Sequence, residues 1–211
     1  MGIIKKKKNY FSRIALGLTL LIALYFILTN ALVYFTFTED SYGTYFWPRV
    51  NWVFPHVVFG IIAILIGPFQ LSNKLRSKYL VLHKRGGYVY LTSIFFGSCA
   101  GIALSLTSKV NLTYKMGLFF LAVAWLLTSG MALFFILKRK TTQHKEWMIR
   151  SYVVTFAFVF FRFSADIMNY YEIAERSDIN ALMSWACWAV PLLLLEPILQ
   201  YRKTIKKRIR K

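Results

Sequence analysis

Three histidines and one pair of opposite charges are the side chains in this sequence whose type and spacing suggest chemistry. The histidines are His56, His83 and His144, and Arg162 and Asp166 stand four residues apart in an otherwise apolar run. Neutral imidazole is a common ligand of haem iron and of transition metals, and charges inside a membrane mark ion or proton sites by default. The sequence has no Ser-His-Asp set, phosphate-binding glycine loop or His-Glu-x-x-His motif, so it leaves open whether the protein is an enzyme.

The inner histidine pair, His83 and His144, is predicted to lie at one membrane boundary, because each residue precedes a long apolar segment. Two imidazoles that face each other inside a helix bundle can hold a b-type haem or a metal ion. Arg85 and Arg150 would then pair with the haem propionates, and Gln70 is predicted at the same depth. The alternative is a structural role at the membrane interface, because neither histidine belongs to a metal-ligand motif.

The third histidine, His56, is predicted to lie on the opposite side of the membrane with Arg162 and Asp166. The 14 residues from His56 to Gln70 span about 21 Å of helix, so His56 cannot share a small site with the inner histidine pair. Arg162 and Asp166 share one face of a helix and can pair. This outer polar site is interpreted either as a structural ion pair or as a proton or anion site.

The composition predicts the elements that position these side chains. Of the 211 residues, 57% are hydrophobic and 18% are aromatic, and such a composition is typical of a membrane protein. A membrane-spanning helix needs about 20 apolar residues, so the sequence predicts an all-α fold, a bundle of six transmembrane helices. The six apolar stretches are residues 14–37, 52–71, 87–107, 116–137, 147–168 and 181–200.

The basic residues predict how this bundle is oriented. Of the 27 Lys and Arg residues, 22 lie in the two termini and in the two connections that alternating spans place on the same side. Cytoplasmic loops carry an excess of Lys and Arg, so both termini are predicted on the cytoplasmic side. The four clusters are Lys5–Arg13, Lys74–Arg85, Lys138–Arg150 and Arg202–Lys211.

The same pattern predicts the division of the chain and its partners. We expect a basic N-terminus (1–13), a membrane domain (14–200) and a polybasic tail (201–211), with connections too short for a soluble domain. The clusters would contact anionic lipid at the inner face. Long apolar segments separate the clusters, and this argues against a nucleic-acid-binding surface.

Four short motifs accompany the candidate residues. They are His56-Val-Val-Phe-Gly60, Gly67-Pro68-Phe69-Gln70, His83-Lys84-Arg85-Gly86-Gly87-Tyr88-Val89-Tyr90 and His144-x-x-Trp147-Met148-x-Arg150-Ser151. Through them the chain resembles, over about residues 50–170, an uncharacterised family of predicted multi-pass bacterial membrane proteins that is grouped under a domain of unknown function. The resemblance implies a bacterial cytoplasmic membrane and no particular reaction. Lys84 stands where such families usually have Arg, so a bidentate contact is not expected there.

Three functional hypotheses follow from the sequence. The first is a membrane redox component that binds haem b or a metal through the inner histidine pair. The second is a proton-coupled transporter that uses the outer polar site. The third is a non-catalytic assembly or scaffold protein, in which the small residues from Gly97 to Gly101 would pack closely against a helix of a membrane partner or of a second copy.

Overall fold

The computed structural model describes the backbone of residues 2–209 and the side chains of residue 10 and residues 14–205, and this part of the chain is helical without any strand. The predicted fold class is therefore confirmed. Six helical segments are long and apolar enough to cross a membrane, and less than half of the apolar window of each is buried inside the protein. The rest of each segment can face lipid. The segments are Ile14–Thr36, Glu39–Gln70, Leu80–Leu106, Leu112–Leu137, Thr141–Tyr170 and Arg176–Ile205.

Nine α-helices form the backbone between residues 2 and 209. The first, α1 (Gly2–Phe26), continues into a π-helical turn (Ile27–Ala31) and a 3-10 turn (Leu32–Thr36). A second 3-10 turn, Trp47–Arg49, joins α2 to α3. The remaining helices are α2 (Glu39–Phe46), α3 (Val50–Gln70), α4 (Asn73–Lys78), α5 (Leu80–Leu106), α6 (Leu112–Leu137), α7 (Thr141–Thr155), α8 (Ala157–Tyr170) and α9 (Arg176–Ile209).

Several helix ends follow local sequence signals. The side chains of Ser72 and Asn111 accept hydrogen bonds from the backbone N–H groups of Leu75 and Tyr114, so they cap α4 and α6. Such caps satisfy amide donors that the first helical turn leaves without a partner. α5 begins at Leu80, well before its apolar stretch, because Lys and Arg are good helix formers even where they do not enter lipid.

The fifth predicted span, residues 147–168, differs from the single helix expected. α7 ends at Thr155, and Phe156 has φ −84° and ψ −2° before α8 begins at Ala157. Hydrogen bonds continue across the junction, because Phe156 N donates to Tyr152 O and Phe160 N donates to Phe156 O. The helical segment is therefore interrupted at Phe156, and these two backbone hydrogen bonds connect its two halves.

The helices pack around a core in the middle of the bundle. α5 contacts α3 and α6, α7 contacts α6, and α9 contacts α6 and α8. The main core cluster includes the large side chains of Tyr90, Trp125 and Tyr152. α1 lies at the periphery, where it packs through a separate small cluster against Ile64 and Val159.

The two ends of the bundle differ in charge. We call the end that carries the clusters Lys74–Arg85 and Lys138–Arg150 the basic face, and the opposite end the distal face. At the basic face, Lys203 Nζ lies 2.8 Å from Glu146 Oε2, so the C-terminal part of α9 meets the start of α7. At the distal face, Trp185 Nε1 donates to Thr113 O over 3.0 Å and links α9 to α6. The connections at the distal face are residues 37–49, 107–111 and 171–175.

Candidate functional site

An apolar cavity of about 460 Å³ lies in the distal half of the bundle. We call it the distal cavity. Its walls come from α2, α3 and α5 to α9 and from the π-helical and 3-10 turns that follow α1. Val53, Ile61, Leu121, Phe158 and Phe161 form part of the apolar lining. A space of this kind suits a ligand with a substantial hydrophobic body.

Three arginines, Arg49, Arg162 and Arg176, line this apolar cavity, and none of the lining residues is Asp or Glu. Within the described side chains, no carboxylate lies within ion-pair distance of these arginines. Arg49 Nε donates to the carbonyl of Tyr45 over 3.1 Å, and its guanidinium carbon lies 3.8 Å above the Tyr45 ring. The distal cavity therefore carries positive charge that no protein anion neutralises.

Neutral polar side chains line the same cavity as these guanidinium groups. Asn30, Asn180 and Tyr34 line the cavity, and so do Tyr45 and Tyr114. The Tyr45 hydroxyl is hydrogen-bonded to the Ser108 hydroxyl, and Tyr114 lies close enough to Arg162 for an electrostatic interaction. Such amide and hydroxyl groups can donate hydrogen bonds to a polar group in the cavity.

His56 lies deeper in the distal cavity, and the backbone fixes its tautomer. Its Nδ1 lies 2.8 Å from the carbonyl oxygen of Gly97. A carbonyl only accepts hydrogen bonds, so Nδ1 carries the proton and Nε2 is left as an acceptor. The ring is held closely, because a Cβ at Gly101 would lie 3.2 Å from its Cε1 and Nδ1 atoms. Of the two glycines predicted to permit close helix packing, Gly101 leaves room for His56, whereas a Cβ at Gly97 would meet Trp125 and Phe59.

A buried hydroxyl network forms one side of the cavity floor. Thr155, which lines the cavity, accepts a hydrogen bond from Trp125 Nε1 over 2.8 Å and lies 3.0 Å from the Tyr90 hydroxyl. The Tyr90 hydroxyl is also 3.0 Å from Ser151 Oγ. These contacts join α5, α6 and α7, so they hold the floor of the cavity in place.

The predicted outer polar site is only partly assembled. His56 and Arg162 both line the distal cavity, as their predicted depths suggested, but Asp166 is exposed and is not part of the lining. No ion pair joins Arg162 to Asp166 within residues 14–205. The structural ion pair is therefore not formed here, and the proton or anion site at these residues stays a prediction. A spacing of four residues permits contact on a helix, but here the guanidinium lies at the cavity while the carboxylate lies outside the bundle.

The inner histidine pair lies at the basic face. His83 and His144 are close enough to interact electrostatically, and both are half-buried. His144 Nδ1 lies 2.8 Å from the carbonyl oxygen of Ala132, whereas His83 Nδ1 is buried with no hydrogen-bond partner. Gln70 lies nearby on α3, because a Cβ at Gly86 would meet its Nε2 at 2.6 Å.

The arginines expected to complete a haem site at the inner histidine pair are directed elsewhere. Arg150 Nε donates to Glu196 Oε2 over 3.2 Å, and its guanidinium carbon lies 4.8 Å above the Trp147 ring. Arg85 is exposed. Among the described residues there is no group of three or more His, Cys, Asp and Glu side chains that could hold a metal ion. The basic face therefore has two imidazoles, but Arg85 and Arg150 do not face them as partners for haem propionates.

Sequence reasoning missed Arg49 and Arg176 because both lie at the ends of connections, outside the apolar stretches. A signal for them was present. Of the arginines in the chain, only Arg49, Arg162 and Arg176 fall outside the four basic clusters, and all three line the distal cavity. Lys109 and Lys115 also fall outside the clusters but are not among the lining residues.

Comparison with known proteins gives one match. Residues 53–199 match the family model described as "Predicted membrane protein (DUF2306)". This range includes His56 and Arg162, but it excludes α1 and Arg49. No curated protein and no solved structure matches the chain.

Proposed function

Because the chain belongs to the DUF2306 family of predicted membrane proteins, whose description names no activity, we propose a function from the distal cavity. The protein binds an amphipathic organic anion in the membrane. The ligand has an apolar body and a carboxylate or phosphate head. The apolar walls take the body, and Arg49, Arg162 and Arg176 take the head.

One observation carries this proposal, namely three arginines and no carboxylate around one apolar cavity. Arg162 lies within a membrane span, where an arginine at the helix centre costs about 2.5–3.5 kcal/mol on insertion scales and usually pairs or faces a functional cavity. An anionic ligand would provide the missing partner. Arg suits this role because its planar donors match a carboxylate or a phosphate in a bidentate geometry.

The expected energetic contribution of one arginine follows from its chemistry. A hydrogen bond to a charged group contributes about 1.5–3 kcal/mol, so loss of one guanidinium should weaken binding by roughly 10- to 150-fold. Arg162 is the best residue to replace, because Arg49 already donates to the carbonyl of Tyr45 and Arg176 is exposed. Arg162→Gln keeps a polar side chain of moderate length and removes the charge.

The test is equilibrium binding of labelled dodecanoate to the full chain in lipid nanodiscs, with empty nanodiscs as the background. Dodecanol, which has the same apolar chain and no charge, serves as the matched ligand. Arg202→Gln, at the exposed basic end of α9, is the matched variant and should bind like the wild type. Equal binding of dodecanoate and dodecanol, or unchanged dodecanoate affinity in Arg162→Gln, would refute the proposal.

We further propose that the basic face lies in the cytoplasm of a bacterial cell, so that the distal cavity opens in the outer half of the cytoplasmic membrane. The occurrence of 22 of the 27 Lys and Arg residues in the two termini and in the two connections on the same side of the alternating spans supports this orientation. Single cysteines at Lys109 and Thr142, in a chain without other cysteines, report it. An impermeant thiol reagent applied to intact cells should label the first and not the second, and the reverse result would invert the orientation.

A further inference from the structure

We infer that the amphipathic anion of the distal cavity is a haem-type macrocycle, with His56 Nε2 as the axial ligand of its iron and the cavity arginines as partners of its carboxylates. This inference rests on the proposed function and names the class of ligand. It also places the haem at His56, in the distal half, instead of at the inner histidine pair. It concerns binding alone.

The first observation is the orientation of His56. Its Nδ1–H is held by the carbonyl of Gly97, and Nε2, which lies on the other side of the ring, has no hydrogen-bond partner among the described residues. Metal-ligating histidines commonly donate their second ring N–H to a backbone carbonyl, which fixes the tautomer and orients the free nitrogen toward the metal. His144 has a similar bond to Ala132, but it does not line the distal cavity.

The second observation is that the imidazole, which can bind iron, and the arginines, which can bind carboxylates, lie at separate positions in the cavity. Arg49 lies seven residues before His56, at the distal side, which corresponds to about 10 Å along a helix axis. A haem carries its metal at the centre of an apolar plane and its carboxylates at one edge. The histidine can therefore meet the iron while the arginines meet the propionates.

The third observation is the surroundings of the imidazole. The rings of Trp125 and Phe158 lie with centroids 6.4 Å and 6.0 Å from that of His56, at interplanar angles of 73° and 68°. Gly60, Gly101 and Ala122 also line the cavity, so small residues accompany the aromatic rings in its lining. This lining suits a planar macrocycle. A single-chain fatty acid would use the arginines and the apolar walls but would leave Nε2 without a partner.

The experiment is a titration of the purified full chain, in detergent, with hemin, followed by absorbance before and after reduction with dithionite. The wild type should bind one equivalent with a shifted Soret band. His56→Asn is the decisive variant, because its amide nitrogen can still donate to Gly97 while the iron-binding nitrogen is removed. It should lose the shifted band and bind hemin at least about tenfold more weakly.

Rescue and control variants separate ligation from folding. Imidazole added to His56→Gly should restore the band, because the free base can occupy the space that the side chain leaves. His83→Ala and His144→Ala should keep the wild-type spectrum, since these residues do not line the distal cavity. A wild type without a Soret shift would overturn the inference. So would an unchanged spectrum in His56→Asn with loss in His83→Ala or His144→Ala, which would place the iron at the basic face.

The two proposals can fail separately. Binding of dodecanoate that depends on Arg162, without hemin ligation, would leave the anion site and overturn the haem. Hemin ligation by His56 with unchanged hemin and dodecanoate affinities in Arg162→Gln would leave the iron ligand but remove the anion site on which this inference rests. That result would overturn the assignment of the carboxylates.

Discussion

Replacement of Thr155 by valine tests whether the hydroxyl network on the cavity floor stabilises the bundle. The Thr155 hydroxyl accepts a hydrogen bond from Trp125 Nε1 and is hydrogen-bonded to the Tyr90 hydroxyl, so it connects α7 with α6 and α5. Valine has nearly the same shape as threonine but lacks the hydroxyl. The substitution therefore removes these two interhelical hydrogen bonds and leaves the packing almost unchanged.

The magnitude follows from the partners that remain. Interhelical hydrogen bonds in membrane proteins contribute about 0.6 kcal/mol each on average, so two of them account for about 1 kcal/mol. The Tyr90 hydroxyl keeps Ser151 as a partner, but Trp125 Nε1 is left in the core without an acceptor, which costs about 1–3 kcal/mol. We expect Thr155→Val to lower the free energy of unfolding by about 2–4 kcal/mol.

The assay is unfolding by sodium dodecyl sulfate in mixed micelles, followed by tryptophan fluorescence and circular dichroism. Thr128→Val is the matched control. Thr128 is as buried as Thr155, at 6% and 5% exposure, but its hydroxyl donates only to the carbonyls of Ala124 and Trp125 in its own helix. A difference between the two variants below about 0.5 kcal/mol would refute the argument, because it would fall within the usual scatter of substitutions without a specific mechanism.

Two further predictions concern the core and the basic face. Gly67→Ala should destabilise the fold by about 1–3 kcal/mol through overpacking, because its Cβ would lie 2.2 Å from Cδ2 of Tyr152; Gly130→Ala, with nothing within 4 Å, should be neutral or stabilising in the same unfolding assay. Glu196→Gln should change the free energy of unfolding by less than about 1 kcal/mol, because the Glu196 side chain is 44% exposed in its pair with Arg150. A larger loss would mean that this pair fixes α9 against α7.

The sequence predicted the helices better than their internal irregularities. Length and apolarity are enough to find a span, since a bilayer sets both. The break at Phe156 has no such signal, because the residues around it, Thr155 and Ala157, include neither glycine nor proline. The π-helical turn at Ile27–Ala31 is likewise invisible in a uniformly apolar run. Which helices touch also remained open, since lipid and protein interior favour the same apolar side chains.

The sequence predicted how deep in the membrane the candidate residues lie, but not which residues line the cavity. Counting residues along helices placed His56 and Arg162 together, and both line the distal cavity. The same counting assigned Asp166 to them, because a helical spacing of four defines a shared face and not a contact. Arg49 entered the site through the turn between α2 and α3. Position along the chain did not show that this turn folds over the cavity.

The distribution of basic residues explains why the distal cavity stands out. The 22 clustered Lys and Arg residues have a sufficient physical explanation in membrane topology and contact with anionic lipid. Neither explanation applies to a basic residue at the distal face, where the positive-inside rule disfavours it. Five basic residues are such exceptions, and the three arginines among them line one apolar cavity that offers them no carboxylate, whereas Lys109 and Lys115 do not line it. A charge that neither topology nor an ion pair accounts for is best explained by a ligand, and for arginine in apolar surroundings that ligand is an anion.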